Sequence, residues 1–124
     1  MKMLVPTAGA ASATETVEYV MQVAQAINAD LLVLHVIRPG HSHEAGELTL
    51  ETFKNAAEGA EINVDCHLRE GGVIHQIIDF AEENEVDLIV MGASNGAIVD
   101  QWISSDVCGN TNIPVLVIPY QVFD

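Results

Sequence analysis

Two short apolar runs near the C-terminus constrain the fold of this chain more than any other feature. The first, residues 87–92, reads DLIVMG, and the second, residues 113–119, reads IPVLVIP without a single charge. Apolar runs of this length are typical of parallel strands that are buried on both faces, and the gap between the two has the length of a crossover helix. In open α/β sheets, ligands bind beyond the carboxyl ends of such strands. The sequence therefore predicts a small fold of the nucleotide-binding type.

The rest of the chain continues this alternation of strands and helices. Further strands are predicted at residues 3–6, 31–37 and 61–69. The last should have one solvent-exposed face, because its apolar and polar residues alternate. Helices are predicted from a capping box at Ser12 and Glu15, and over residues 48–58, 73–84 and 97–108, with residues 41–46 as a loop. We therefore expect one α/β domain over residues 1–124, a three-layer α/β/α sandwich around a five-stranded parallel, Rossmann-like sheet.

The charge balance is strongly acidic. Four Lys and Arg residues stand against 18 Asp and Glu residues, which gives a formal net charge of −14. Such a surface repels nucleic acid and anionic membranes, because binding to phosphates requires clustered cations. Two explanations remain: a surface adapted to a salt-rich cytoplasm, or a docking face for a basic partner. The acidic residues are scattered along the chain, which favours the adaptation of a halophile.

Targeting signals and cysteine pairs are not evident in the sequence. No apolar run approaches the roughly 20 residues that a membrane span needs, and the N-terminus lacks the pattern of a signal peptide. We therefore expect a cytoplasmic protein without a membrane partner. Cys66 and Cys108 stand alone, so we expect two buried, reduced thiols and no disulfide between them.

Three segments together resemble the universal stress protein family, across essentially the whole chain. They are the strand at 3–6 with ADLLVLHV at 29–36, the stretch EGGVIHQIIDFA at 70–81, and VDLIVMG at 86–92 closed by residues 113–119. The resemblance implies an adenine nucleotide alpha hydrolase-like fold. It also implies an ATP site of three parts: an acidic residue after the first strand, a Gly-x-x-Gly loop after the fourth, and a Gly-Ser or Gly-Thr pair further on.

This chain departs from that pattern at each part. Ala8 occupies the acidic position, three residues instead of two separate Gly92 from Gly96, and Gln101 with Trp102 falls where the small pair is expected. The sequence therefore predicts a degenerate ATP-binding motif and no cofactor. The alternative is ATP or AMP with Mg²⁺, held as an anion by the remodelled loop through Gly92, Ser94, Asn95 and Gly96.

Other candidate sites have weaker support. His41, His43 and Glu44 have metal-ligand chemistry, but two loop histidines without a distant third ligand favour a solvated loop, so no metal is predicted. His35 is expected to be buried and hydrogen-bonded, and His75 to be exposed. Residues 104–106, SSD, have no base beside them, so we predict no catalytic residue, with a weak ATPase left open.

The last strand is a candidate interface. The predicted strand Ile113–Ile118 ends the sheet and exposes an apolar edge, and Tyr120, Val122 and Phe123 extend the pattern. The resemblance implies antiparallel pairing of this strand with a second copy in a homodimer, whereas the alternative is a strand covered by its own tail. We therefore expect a dimeric stress-response or interaction module that has lost ATP binding and acts through an unknown protein partner. The alternative function is a nucleotide-binding member of the same family.

Overall fold

The computed structural model describes residues 1–8, 14–37, 39–40, 42–92 and 106–118. In these parts the chain forms β1 (Lys2–Ala8), α1 (Thr14–Ala26), β2 (Asp30–Ile37), α2 (Glu44–Gly59), β3 (Val64–Glu70), α3 (Val73–Glu83), β4 (Leu88–Gly92) and β5 (Val115–Ile118). Residues 106–109 form one further helical turn, at the end of the predicted fourth helix. The part of that helix predicted at 97–105 lies outside the described residues.

The five strands form one parallel sheet in the order β3-β2-β1-β4-β5. The chain starts in the middle at β1, moves outward through β2 to β3, and then returns to place β4 on the other side of β1. The direction of strand progression therefore reverses between β1 and β4, which defines the switch point of the sheet. The predicted α/β fold with a five-stranded parallel sheet is confirmed.

Both faces of the central strands are covered by helices, as expected for buried parallel strands. Alternate residues of each strand point to opposite faces, so β1 and β2 contribute to two separate cores. The core beneath α1 and α2 contains Met3, Val5, Val17, Val20, Met21, Ala24, Leu31, Val33, Phe53, Ala57 and Val90. The core beneath α3 contains Leu4, Leu32, Leu34, Val36, Ile77, Phe80, Ala81, Ile89, Met91 and Val107.

The helix α2 begins a full turn before its predicted start. The residues predicted as a loop at 41–46 include Glu44 and Gly46, which lie in the first turn of this helix. A glycine next to histidines reads as a loop in the sequence, but here Gly46 is buried against the sheet. The prediction was wrong because close packing, rather than turn formation, requires this glycine.

Two strands begin later than predicted, for local backbone reasons. Glu61 has a positive φ of 57° at the end of α2, so β3 cannot begin there. Pro114 has no amide hydrogen to donate to the sheet, although its carbonyl accepts the Ile89 amide at 2.9 Å. The regular pairing of β5 with β4 therefore starts at Val115, opposite Ile89.

No helix in the described parts of the chain has the length and apolar character to cross a bilayer.

Candidate functional site

The switch point lies between the carboxyl ends of β1 and β4. Thr7 and Ala8 end β1, and Gly92 ends β4 in register with Ile118 of β5. Parallel sheets of this topology bind ligands at that edge. Gly92 therefore stands where the sequence analysis expected it, and Ala8, which replaces the expected acid, ends the neighbouring strand. Ser94, Asn95, Gly96, Gln101 and Trp102 lie outside the described residues.

A buried polar pair lies at the same edge. Thr7 Oγ1 and His35 Nδ1 are 2.7 Å apart, and the two residues are direct partners in the register of β1 and β2. His35 is only 2% exposed, and this burial lowers the pKa of its imidazole. His35 is therefore a neutral, hydrogen-bonded core histidine, as predicted. Its partner Thr7 could not be predicted from the sequence, because contacts between strands depend on register.

The second histidine cluster is exposed. His43, at the N-terminus of α2, places Nε2 3.5 Å from Glu70 Oε2, and both side chains are more than half exposed. The Ser42 hydroxyl accepts the Glu44 amide at 3.1 Å. His41 is outside the described residues, and within these residues no three metal-binding side chains come together. His75, in the first turn of α3, is exposed as expected.

The basic residues of the described chain are engaged or distant from the switch point. Lys2 lies at the opposite edge of the sheet, where its Nζ donates to Asn84 O at 3.1 Å. Arg69 donates to Glu83 Oε2 at 2.7 Å and lies 4.9 Å from the centre of the Phe80 ring. Lys54 is exposed in the second half of α2. Arg38, which follows β2 in the sequence, is outside the described residues and was not predicted as a site residue.

The two cysteines are free, but their environments differ. Cys66 on β3 is partly buried and donates a weak hydrogen bond to Leu50 O at 3.7 Å, and burial raises the pKa of its thiol. A raised pKa leaves little reactive thiolate at neutral pH. Cys108 is exposed, so the expectation that both thiols are buried was wrong. In the helical turn at 106–109 it is Val107 that enters the core.

The strand β5 ends the sheet that the described residues form. Among the described strands it has β4 as its single neighbour. Leu116 is 41% exposed and Val117 is 43% exposed, so both faces of this strand present apolar surface. The opposite edge, β3, instead exposes Asp65, His67 and Glu70. Charged edges resist pairing with other strands, whereas apolar edges favour it.

Comparison with known proteins places this geometry in a family. A model described as the universal stress protein family matches residues 1–119. A universal stress protein of Methanocaldococcus jannaschii is 24% identical in an alignment that covers 94% of this chain and 81% of that protein.

Solved structures share the same fold. The universal stress protein from Archaeoglobus fulgidus in complex with dAMP has a TM-score of 0.74 at 21% identity, covering 95% of this chain and 97% of that one. A universal stress protein in complex with cAMP has a TM-score of 0.74 at 20% identity, with coverage of 95% and 97%. The match of the family model over nearly the whole length, together with the parallel sheet and its switch point, shows that this chain belongs to the universal stress protein family.

Proposed function

We propose that this chain is a universal stress protein that acts as a dimeric interaction module and no longer uses ATP. Ala8 is the observation that carries the proposal. It ends β1 at the switch point, where the family pattern expects an acidic residue. A methyl group neither accepts a hydrogen bond nor coordinates a metal ion, so the contribution expected from that position is absent.

The charge distribution supports the same proposal. A triphosphate carries several negative charges, and the chain carries a net charge of −14. Lys2 and Arg69 are held by Asn84 and Glu83, away from the carboxyl edge of β1 and β4. From the described residues, attraction by clustered cations, which commonly concentrates anionic ligands at their sites, is therefore weak at this edge.

The nucleotide-binding alternative is favoured by one observation. The two solved structures named above hold dAMP and cAMP, ligands with a single phosphate group. A monophosphate requires fewer donors than a triphosphate, and the backbone amides of the segment from Gly92 to Gly96 are suitable donors. This alternative predicts binding of AMP rather than ATP through Gly92, Ser94, Asn95 and Gly96.

Calorimetric titration of the full chain tests the proposal. ATP and AMP are titrated separately, with Mg²⁺ and molar KCl present, and we expect no heat of binding and no competition at millimolar nucleotide. Saturable micromolar binding of ATP would contradict the proposed loss of ATP binding, and selective binding of AMP would favour the alternative.

An Ala8→Asp variant identifies the cause of the loss. If the missing acid is decisive, Ala8→Asp binds ATP with Mg²⁺ while Ala10→Asp does not. The second variant adds the same charge two residues later in the sequence. If neither variant binds ATP, the changes at Gly96, Gln101 and Trp102 account for the loss of ATP binding.

The proposed dimer rests on the β5 edge. Leu116 and Val117 are large apolar side chains at more than 40% exposure on a strand whose outer backbone groups have no neighbouring strand in the described sheet. An isologous partner would satisfy these groups and cover both side chains. The interaction function then belongs to the assembled pair.

A further inference from the structure

The buried histidine His35 connects three elements at the carboxyl edge of the sheet. It lies on β2, its Nδ1 is 2.7 Å from the Thr7 hydroxyl of β1, and its ring touches the first turn of α2. The ring is 2% exposed. Any change in the space or hydrogen bonding that this ring requires therefore acts on all three elements.

His35 is closely packed against the first turn of α2. A Cβ atom added to Gly46 would stand 2.5 Å from His35 Cδ2 and 3.1 Å from His35 Nε2. Leu68 Cδ1, from β3, would be 3.0 Å from the same point. The backbone of α2 thus packs directly on the imidazole. Because Gly46 lies in the first turn of the helix, the positive end of the helix dipole is close to the ring.

No charged group in the described structure offsets a positive charge on His35. The ring has the Thr7 hydroxyl at Nδ1 and packs against the backbone of Gly46, and Leu68 lies beside the same position of α2. On the same face, Val33 and Ile37 of β2 are buried and apolar, and Cys66 of β3 is a thiol with a raised pKa.

The nearby titratable side chains point elsewhere. Glu44 and Glu47 in the first turn of α2 are exposed, and His67 and Arg69 lie on the opposite face of the sheet against Phe80. The segment 9–13 that follows β1 contains no titratable residue, and Arg38 and His41 are outside the described residues.

We propose that protonation of His35 releases the first turn of α2 from the carboxyl ends of β1 and β2, so that this edge of the sheet opens in acid. An imidazolium donates from both nitrogens. The Thr7 hydroxyl accepts at Nδ1, whereas the Nε2 side packs against the backbone of Gly46, and no carboxylate among the described residues balances the charge of the ring. Movement of α2 admits water to that side, and the cation is then hydrated. This device requires neither nucleotide nor dimer, so it stands apart from the proposed function.

The direction of the pH effect follows from burial. The closed edge holds His35 neutral with a lowered pKa, whereas a hydrated histidine has a pKa of about 6.5. Opening therefore takes up one proton below that pH. The closed form is fully favoured above about pH 6.5 and loses about tenfold in its equilibrium for each pH unit below, until the lowered pKa is reached.

Hydrogen exchange followed by NMR on the full chain measures this opening. The Glu47 amide, which donates to His43 O at 3.0 Å, reports on the first turn of α2. Its protection factor should fall about tenfold per pH unit below about pH 6.5. The Asp30 and Asp87 amides, bonded to Met1 O and Lys2 O at the opposite edge of the sheet, should keep their protection. Side-chain nitrogen shifts of His35 follow its protonation in the same sample.

Two variants separate His35 from other titrating groups. His35→Gln keeps a neutral polar side chain and should abolish the acid-dependent loss at Glu47, while His75→Gln, which changes an exposed histidine, should retain it. The proposal is wrong if the loss persists in His35→Gln, or if His35 becomes protonated while the Glu47 amide stays protected. If His35→Gln does not fold, the ring titration and the Glu47 protection of the unaltered chain still decide between these outcomes.

Discussion

At the scale of single residues, Gly46 is the position where one added carbon has the clearest cost. The Cβ of a Gly46→Ala variant would stand 2.5 Å from His35 Cδ2, so either the imidazole or α2 must shift. Overpacking of this kind costs about 1–3 kcal/mol, which exceeds the helix-propensity gain of about 1 kcal/mol on replacing glycine by alanine. We expect a net loss of stability, measured by urea unfolding.

Gly59 provides the matched control for that experiment. It lies in the same helix, at its last residue, and a Cβ added there meets nothing within 4 Å. Gly59→Ala should therefore leave stability unchanged or raise it by up to about 1 kcal/mol. Equal destabilisation by both variants would show that the contact with His35 is not the cause.

The same residue shows what the sequence could and could not predict. The run of residues 31–37 correctly predicted a buried strand and a buried His35, because continuous apolar sequence is a local signal. The need for glycine at position 46 arises from a residue 11 positions earlier in the sequence, across the packing between strand and helix. Local patterns do not contain that information, and the start of α2 was therefore placed too late.

At the scale of elements, the turns that lead from a helix into the next strand were poorly predictable, although the helix ends themselves were predicted closely. After α1, α2 and α3 the amides of Ala29, Ile62 and Val86 donate to the carbonyls of Ala24, Ala57 and Ala81 at 2.9–3.1 Å. In each of these three turns after a helix, one residue adopts a positive φ. The residues are Asn28, Glu61 and Glu85. Glycine is the usual signal at that position. Two glutamates there gave no such signal, and β3 was consequently predicted to begin at Glu61.

The edge strand β5 carries the prediction that belongs to this scale. A Val117→Glu variant places a charge on the outward-facing apolar surface, where a second copy would otherwise pair. We expect the unaltered chain to sediment as a dimer and the variant as a monomer, because burial of an unpaired carboxylate opposes association. Sedimentation equilibrium of both proteins in molar KCl gives the measurement.

Leu48→Glu is the control for the change in charge and hydrophobicity. Leu48 is an exposed leucine on α2, 60% accessible and remote from β5, and the substitution adds the same single negative charge. This variant should remain dimeric. A monomeric unaltered chain, or a Val117→Glu variant that stays dimeric, would argue that residues 119–124 cover the strand or that another surface forms the interface.

At the scale of the whole molecule, a parallel sheet follows from the alternation of strands and helices, but the strand order and the chemistry do not. Parallel crossovers restrict the possible topologies to few, and the observed sheet is one that the sequence pattern favours. The candidate site depends instead on loops after β1 and β4, where short polar residues such as Ser94 and Asn95 fit many conformations. Their role as a phosphate loop therefore stays a prediction.

The net charge of −14 carries the last prediction, which concerns the surface as a whole. Within the described residues, ion pairs form between Arg69 and Glu83 and between His43 and Glu70, so most carboxylates have no opposite charge close by. Repulsion among them is screened once the Debye length falls to about 8–10 Å, at 0.1–0.15 M salt. Thermal stability should therefore rise to that concentration by screening alone.

If the surface is adapted to a salt-rich cytoplasm, the melting temperature continues to rise towards 2 M KCl. It rises less in tetramethylammonium chloride of equal ionic strength, because this salt screens charges equally but its cation is hydrated differently. A plateau above about 0.3 M in both salts, where screening is nearly complete, would instead favour the acidic surface as a docking face for a basic partner.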